Sequence, residues 1–124
     1  MSRFFAKLTI PKSCIFFETD KSFAFVNLKP VLPGHVLVSP KRVEPELGNL
    51  DDDEVADLMI TVKKVNKAVM DVFNGTSSTV TIQNGPEAGQ SVPHVHVHVM
   101  PRQAGDFEVN DDVYREIEKG LVFF

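Results

Sequence analysis

Three of the four histidines stand at every second position in Ser91-Val92-Pro93-His94-Val95-His96-Val97-His98-Val99-Met100-Pro101-Arg102, and that spacing decides what they can do together. In an extended chain residues i, i+2 and i+4 share a face, so His94, His96 and His98 point one way and Val95, Val97 and Val99 the other. A single histidine would read as a polar residue on a half-solvated sheet; three in register ask for more. A metal site is one answer, because neutral imidazole is a common ligand and a His-x-His pair on a strand can chelate. At a rise of about 3.3 Å per residue the outer two rings lie roughly 13 Å apart, so one ion holds two neighbours but hardly all three. No cysteine and no acidic residue at ligand spacing completes such a set. The other answer is a row of imidazoles facing an anionic substrate, one as nucleophile and a neighbour as acid. Imidazole titrates near neutral pH and attacks, donates or accepts according to its proton count.

Either chemistry needs a strand beneath it. The valines favour one, and Pro101, which cannot donate a ladder hydrogen bond, is expected to end it. Thr79-Val80-Thr81-Ile82-Gln83 also alternates and predicts the preceding strand, joined to the histidines through Asn84-Gly85-Pro86-Glu87-Ala88-Gly89-Gln90-Ser91. So glycine-rich a loop can turn backbone amides onto an anion, although most such loops are only turns. Upstream, residues 14–18 and 22–28 predict a hairpin about Thr19-Asp20-Lys21. On its second strand Phe23, Phe25 and Asn27 share one face and Ala24, Val26 and Leu28 the other. Asn27 reads equally as a strand end turning toward Pro30 or as an amide at the rim of a pocket. Pro33-Gly34 signals a turn, and residues 35–39 predict a strand closed by Pro40. His35, at its start, reads as a hydrogen-bonded residue able to support the imidazole row from behind.

At Asp51 the period changes from two to three and four. Asp51 and Glu54 form a capping-box pattern, and the acidic run suits the positive end of a helix dipole. Val55, Leu58, Met59, Val62, Val65, Val69, Val72 and Phe73 form one apolar stripe, ended by Asn74-Gly75, which predicts a helix of about six turns covering a sheet. Beyond Arg102, residues 103–107 predict a loop. Residues 111–119 predict a short helix capped near Asn110, with Val113, Tyr114 and Ile117 packed inward. Leu121 to Phe124 is expected to add an edge strand or pack on a partner.

With 124 residues, the chain is expected to form a single domain over 1–124. A net charge of -4 and an isoelectric point near 5.5 argue against a broad footprint for nucleic acid or membrane, so an anionic ligand must be held locally. Cys14 is the only cysteine, which excludes an internal disulfide and favours a reducing compartment. Residues 1–5 lack a basic-then-apolar signal pattern and no apolar run approaches spanning length, so a cytoplasmic location is expected.

His94-Val-His-Val-His-Val-Met100 resembles the histidine-triad signature, in which three histidines alternate with apolar residues. Gly85-Pro-Glu-Ala-Gly-Gln-Ser-Val92 and Pro101-Arg-Gln-Ala-Gly-Asp-Phe107 are similar to the fragile-histidine-triad (Fhit) branch of that superfamily. Phe23-Ala24, Val26-Asn27, Lys29-Pro30, Pro33-Gly-His-Val-Leu-Val38 and Asp53-Glu-Val-Ala-Asp-Leu58 extend the likeness over most of the chain. The resemblance implies an α+β fold, an antiparallel β-sheet packed with one long helix and a short C-terminal helix, in a homodimer. It implies cleavage of dinucleoside polyphosphates, commonly diadenosine triphosphate, through a covalent nucleotidyl-histidine. By motif position His96 is the nucleophile, His98 contacts the scissile region and leaving group, and His94 supports the row, with His35 behind it. Gln83 and the loop of Gly89, Gln90, Ser91 and Val92 hold phosphate oxygens, and Asn27 the ribose. The resemblance implies no tightly bound cofactor and no metal held by protein; Mg2+ or Mn2+ is expected to accompany the polyphosphate. Leu8 stands where family members can carry a polar residue near the nucleoside. The rivals are a phosphoramidase of the related Hint branch, a nucleotide-binding signalling module, and a metal-dependent enzyme on the histidine row.

Overall fold

The alternation of valine and histidine divides the molecule into two faces. The computed structural model describes residues 2–121, arranged as seven strands and two α-helices. Strands β3 (Ile15–Glu18), β4 (Ser22–Val26), β5 (Val36–Pro40), β6 (Ser77–Ile82) and β7 (Val97–Arg102) form a five-stranded sheet in the order β3-β4-β5-β7-β6, each pair antiparallel. Ala24, Val36, Val38, Val97 and Val99 lie on one side of it, packed against Leu58, Val62, Val65 and Val69 of helix α1 (Asp52–Phe73). Burying those branched side chains on both partners is the main drive for closing helix onto sheet.

Helix α1 begins and ends where the sequence pattern puts it. The Asp51 N–H donates to the Glu54 carboxylate over 2.8 Å, and Asn74 adopts the left-handed conformation that stops the helix. The apolar stripe is narrower than expected. Met59, Val72 and Phe73 are exposed while Leu58, Val62, Val65 and Val69 are buried, because the sheet is wide enough to cover one strip of the helix and not its shoulders.

The opposite face of the sheet carries Phe23, Phe25, Leu37 and the histidines. There a separate hairpin, β1 (Arg3–Phe5) paired with β2 (Leu8–Ile10), packs Phe5 and Ile10 against Phe23, Phe25, Leu37 and Val92. Sequence patterning did not reveal this hairpin, since each strand is three residues long. At the far end Met100 packs with Val113 and Ile117 of helix α2 (Asp112–Leu121). Tyr114, expected to pack inward, is exposed instead. Leu121 closes α2, and residues 122–124 lie outside the described residues.

Strand β4 stops at Val26, short of the expected 28, β6 runs from Ser77 to Ile82 and not over 79–83, and the histidine strand differs at both ends. Pro101 does not end its strand; it pairs with Ser78 inside β7. The pairing with β5 stops at Val99, so one side of the strand is open at Pro101 and the missing N–H costs no ladder bond there. At the other end β7 starts only at Val97. Residues 94–96 leave the ladder because Pro93 precedes them and the His94 N–H turns back onto the Val92 carbonyl at 2.8 Å.

Candidate active site

His98 sits mid-sheet, between Leu37 of β5 and Thr81 of β6. His96 and His94 precede the strand, yet all three rings are buried and the row is contiguous. The His96 and His98 ring centroids are 5.0 Å apart, and His35 lies 5.2 Å from His98. The alternation read from sequence therefore keeps the histidines on one face even where regular pairing has ended.

Burial pushes every one of these imidazoles toward its neutral form. It lowers His35 and His96 to about 4 and His98 to about 2, and it lowers His94 as well. Neighbouring histidines add to the effect at His35, His96 and His98, because like charges in one site disfavour each other. Neutral rings hold one proton each, so backbone partners fix which nitrogen carries it.

At His35 the Val31 N–H donates to Nδ1 over 3.1 Å, which leaves the proton on Nε2. That Nε2–H donates to Nδ1 of His98 over 3.0 Å, so His98 carries its own proton on Nε2. At His96 the partner of Nδ1 is the His94 carbonyl at 2.7 Å. A carbonyl only accepts, so Nδ1 holds the proton and Nε2 is a bare lone pair. His94 accepts from the Ala6 N–H at Nδ1 over 2.9 Å and donates from Nε2 to the Pro40 carbonyl over 2.8 Å. Two reactive atoms result: a bare nitrogen at His96 and an N–H at His98.

Both of those Nε2 atoms, and Oε1 of Gln83, are buried with no hydrogen-bond partner. Continuing the β6–β7 register places Gln83 opposite His96. Buried polar atoms left unpaired are costly, and these three, the N–H donor of His98 and the acceptors of His96 and Gln83 on neighbouring positions, mark a place made for a polar ligand. Phe5 meets His96 edge-on at 5.0 Å and His94 at 5.5 Å. This aromatic cover, and the Ala6 amide on His94, were not legible in the sequence.

The remaining expected residues are placed unevenly. The Gly89 N–H donates to the Pro86 carbonyl and the Gln90 N–H to the Gly85 carbonyl. The Gln90 side chain also closes the loop, accepting from the Gly85 N–H and donating to the Pro45 carbonyl. Gly89 and Gln90 thus shape the loop, and among the described residues Ser91 and Val92 have amides that donate to no protein partner. Asn27 is buried, and its Oδ1 accepts from the Lys29 N–H over 3.0 Å, the strand-end turn foreseen as one of its two readings. Its place in the fold also puts it with His35 in the wall of a cavity of about 330 Å³. Among the described residues no group of three or more His, Cys, Asp or Glu is arranged to hold a metal ion.

Neutral burial has a consequence for stability. A histidine held below its ordinary 6.5 binds fewer protons folded than unfolded, so stability rises with pH between the folded and ordinary values and falls as pH drops through that window. For His35 and His96 the window runs from 6.5 down to about 4, with each contributing up to about 1.4 kcal/mol per pH unit. The carboxylates of Glu54 and Asp106, held at about 2 by Arg42 and Arg102, act mainly below that interval's upper half. The urea midpoint is expected to fall steadily between pH 6.5 and about pH 5; a midpoint flat over that range would contradict neutral, buried rings.

Comparison with known proteins places this geometry. The HIT domain family matches residues 9–105. A bis(5'-adenosyl)-triphosphatase of Dictyostelium discoideum is 51% identical over 116 residues, covering 94% of this chain and 78% of that protein. A bis(5'-nucleosyl)-tetraphosphatase (asymmetrical) of Schizosaccharomyces pombe is 50% identical over 116 residues, covering 94% of this chain and 63% of that protein. The crystal structure of the C. elegans NitFhit protein superposes with a TM-score of 0.84 at 50% identity, covering 98% of this chain and 29% of that one. The sheet and the long helix are thus those of a known fold, and the chain belongs to the HIT domain family.

Proposed function

We propose that this chain hydrolyses dinucleoside polyphosphates, diadenosine triphosphate to AMP and ADP foremost, through a nucleotide covalently held on His96. The proposal rests on one observation, the bare Nε2 of His96 beside the Nε2–H of His98, both buried and without protein partners. Two relatives at about half identity are named for cleaving such compounds. In the first step the His96 lone pair forms an N–P bond to the α-phosphorus while the P–O bond to ADP breaks, its electron pair leaving with the ADP oxygen. In the second step water attacks the same phosphorus and gives a proton to solvent, the N–P bond breaks with its electron pair returning to Nε2, and AMP leaves carrying the water oxygen. Splitting one displacement into two is what covalent catalysis offers.

His98 donates its N–H to oxygen at the scissile bond, and the side-chain N–H of Gln83 and the backbone N–H groups of Ser91 and Val92 serve the other phosphoryl oxygens. Fixed donors in a dry site stabilise that charge without a bulk basic patch. His94 braces His96 through its carbonyl, and Asn27 faces the ribose. The His96 Nε2 has essentially no accessible surface, so binding displaces part of the cover, in which Phe5 lies against His96. Mg2+ or Mn2+ arrives with the polyphosphate, and no cofactor is bound tightly.

A homodimer is part of the proposal. Strand β6 lies at the sheet edge with Val80 exposed, and an unpaired edge is a template for a second copy; a monomeric mass by light scattering at micromolar concentration would count against it. A cytoplasmic location is also part of the proposal, in keeping with the lone Cys14, and fractionation of the tagged protein tests it. Neither nucleic acid nor membrane is a proposed partner; among the described residues no helix is long and apolar enough to cross a membrane.

The deciding experiment incubates the protein with adenine-labelled diadenosine triphosphate, quenches in base and maps the label. An alkali-stable adduct on His96, with AMP and ADP as products, is expected. Negligible dinucleotide cleavage beside rapid cleavage of an adenosine phosphoramidate would replace this function with P–N hydrolysis.

A further inference from the structure

His96 belongs to a segment that the sheet does not hold. The β5–β7 ladder ends at Val38 and Val97, one residue short of the nucleophile, so something else must fix the peptide that carries it. Continuing the register places Ser39 opposite His96. Ser39 is fully buried, and its hydroxyl donates to the Val95 carbonyl over 2.6 Å. On the other side of that residue the Val95 N–H donates to the Glu44 carbonyl over 2.7 Å. The next residue of β5, Pro40, receives the His94 Nε2–H. The peptide between Val95 and His96 is therefore held at its oxygen by one side chain, where a sheet would have used a backbone N–H.

We propose that Ser39 is a positioning residue for His96: its hydroxyl, bonded to the Val95 carbonyl, holds the peptide that carries the nucleophile beyond the end of the ladder. The proposal rests on His96 being the nucleophile, as argued above. A buried serine can be merely a small residue that packs. The short bond to the carbonyl immediately before His96 argues otherwise, because apolar packing alone would not need a hydroxyl at that point. Rotation of this peptide moves the His96 backbone and hence the reach of Nε2, and displacement of a reacting atom by about 1 Å can cost on the order of 10²-fold in rate. Ser39 does not touch the reacting atoms, so its effect falls on formation of the adduct and not on affinity.

The test measures single-turnover formation of the His96 adduct from diadenosine triphosphate. Ser39→Ala is expected to slow adduct formation by roughly tenfold or more with KM within about twofold, whereas Ser39→Thr, which keeps the hydroxyl, recovers most of the rate. Should the alanine variant fail to fold, Ser39→Thr against Ser39→Val compares equal volumes with and without the hydroxyl, and the same gap is expected. Equal rates in the folded pair overturn the proposal. The 15N shifts of the His96 ring, read without substrate, supply an independent measure: loss of the hydroxyl should mix the Nδ1–H tautomer with the other, and an unchanged ring overturns the proposal as well. If the unmodified protein forms no adduct at all, the function proposed above falls, and the ring shifts still decide the role of Ser39.

Discussion

Replacing His96 by asparagine is expected to lower turnover of diadenosine triphosphate by on the order of 10⁴-fold or more while leaving dinucleotide affinity within roughly threefold. The ring does two jobs that the substitution separates. Its Nδ1–H bonds the His94 carbonyl at 2.7 Å, and an asparagine amide can donate at a similar reach. In the proposed mechanism its Nε2 supplies the lone pair that attacks phosphorus, and asparagine has no basic nitrogen to replace it. The variant should therefore fold, bind and stop before the covalent step. Kinetics with product analysis, titration of the uncleaved dinucleotide, and a search for label on the protein check the three parts. An adduct of undiminished yield on another histidine, or turnover within about tenfold of the unsubstituted protein, removes His96 from the role.

How much of this was legible in the sequence can be judged residue by residue. Period-two alternation from Val95 to Val99 gave the faces correctly, since it depends only on extended geometry. The same reasoning placed Phe23 and Phe25 on one face, and the structure puts them with Leu37, on the side away from α1. The bounds of α1 were legible because Asp51, Glu54 and Asn74 act within one turn of the chain. What failed depended on contacts distant in sequence. Pro101 could continue its strand only because β5 stops short of it. Met59 and Val72 stay in solvent because the sheet does not reach them.

The site divides along the same line. Residue types announced the imidazole row, but no pattern could assign the protons. That assignment comes from the Ala6 and Val31 amides and the carbonyls of Pro40 and His94. Two of these, Ala6 and Val31, lie in irregular connections, where sequence periodicity carries no signal. The three-residue strands of the N-terminal hairpin are too short to alternate visibly, so Phe5 was missed although its ring lies against His96. Ser39 was read only as part of a strand because its hydroxyl acts on a carbonyl 56 residues away in the chain.

The second large effect is expected at His98, and its size should depend on the leaving group. A neutral imidazole is too weak an acid to give up its Nε2 proton, so in the proposed mechanism His98 acts by hydrogen-bonding the oxygen that becomes charged as the P–O bond breaks. Replacing His98 by asparagine is expected to slow release of ADP by about 10²- to 10³-fold, the range for losing one such donor. An adenylate ester of p-nitrophenol, whose departing oxygen needs little help, should be slowed far less. His35 fixes the proton on the correct nitrogen of His98 through the 3.0 Å bond to Nδ1, so His35→Val should show the same dependence on leaving group in weaker form. That variant also leaves the Val31 N–H without its acceptor, a cost of about 1–3 kcal/mol in stability. Stability loss alone would depress both substrates equally, so the ratio of their rates isolates the effect on the proton. Equal losses for ADP and p-nitrophenol in the His98 variant would mean that the N–H serves oxygens other than the departing one, and the leaving-group role would then have to be assigned elsewhere.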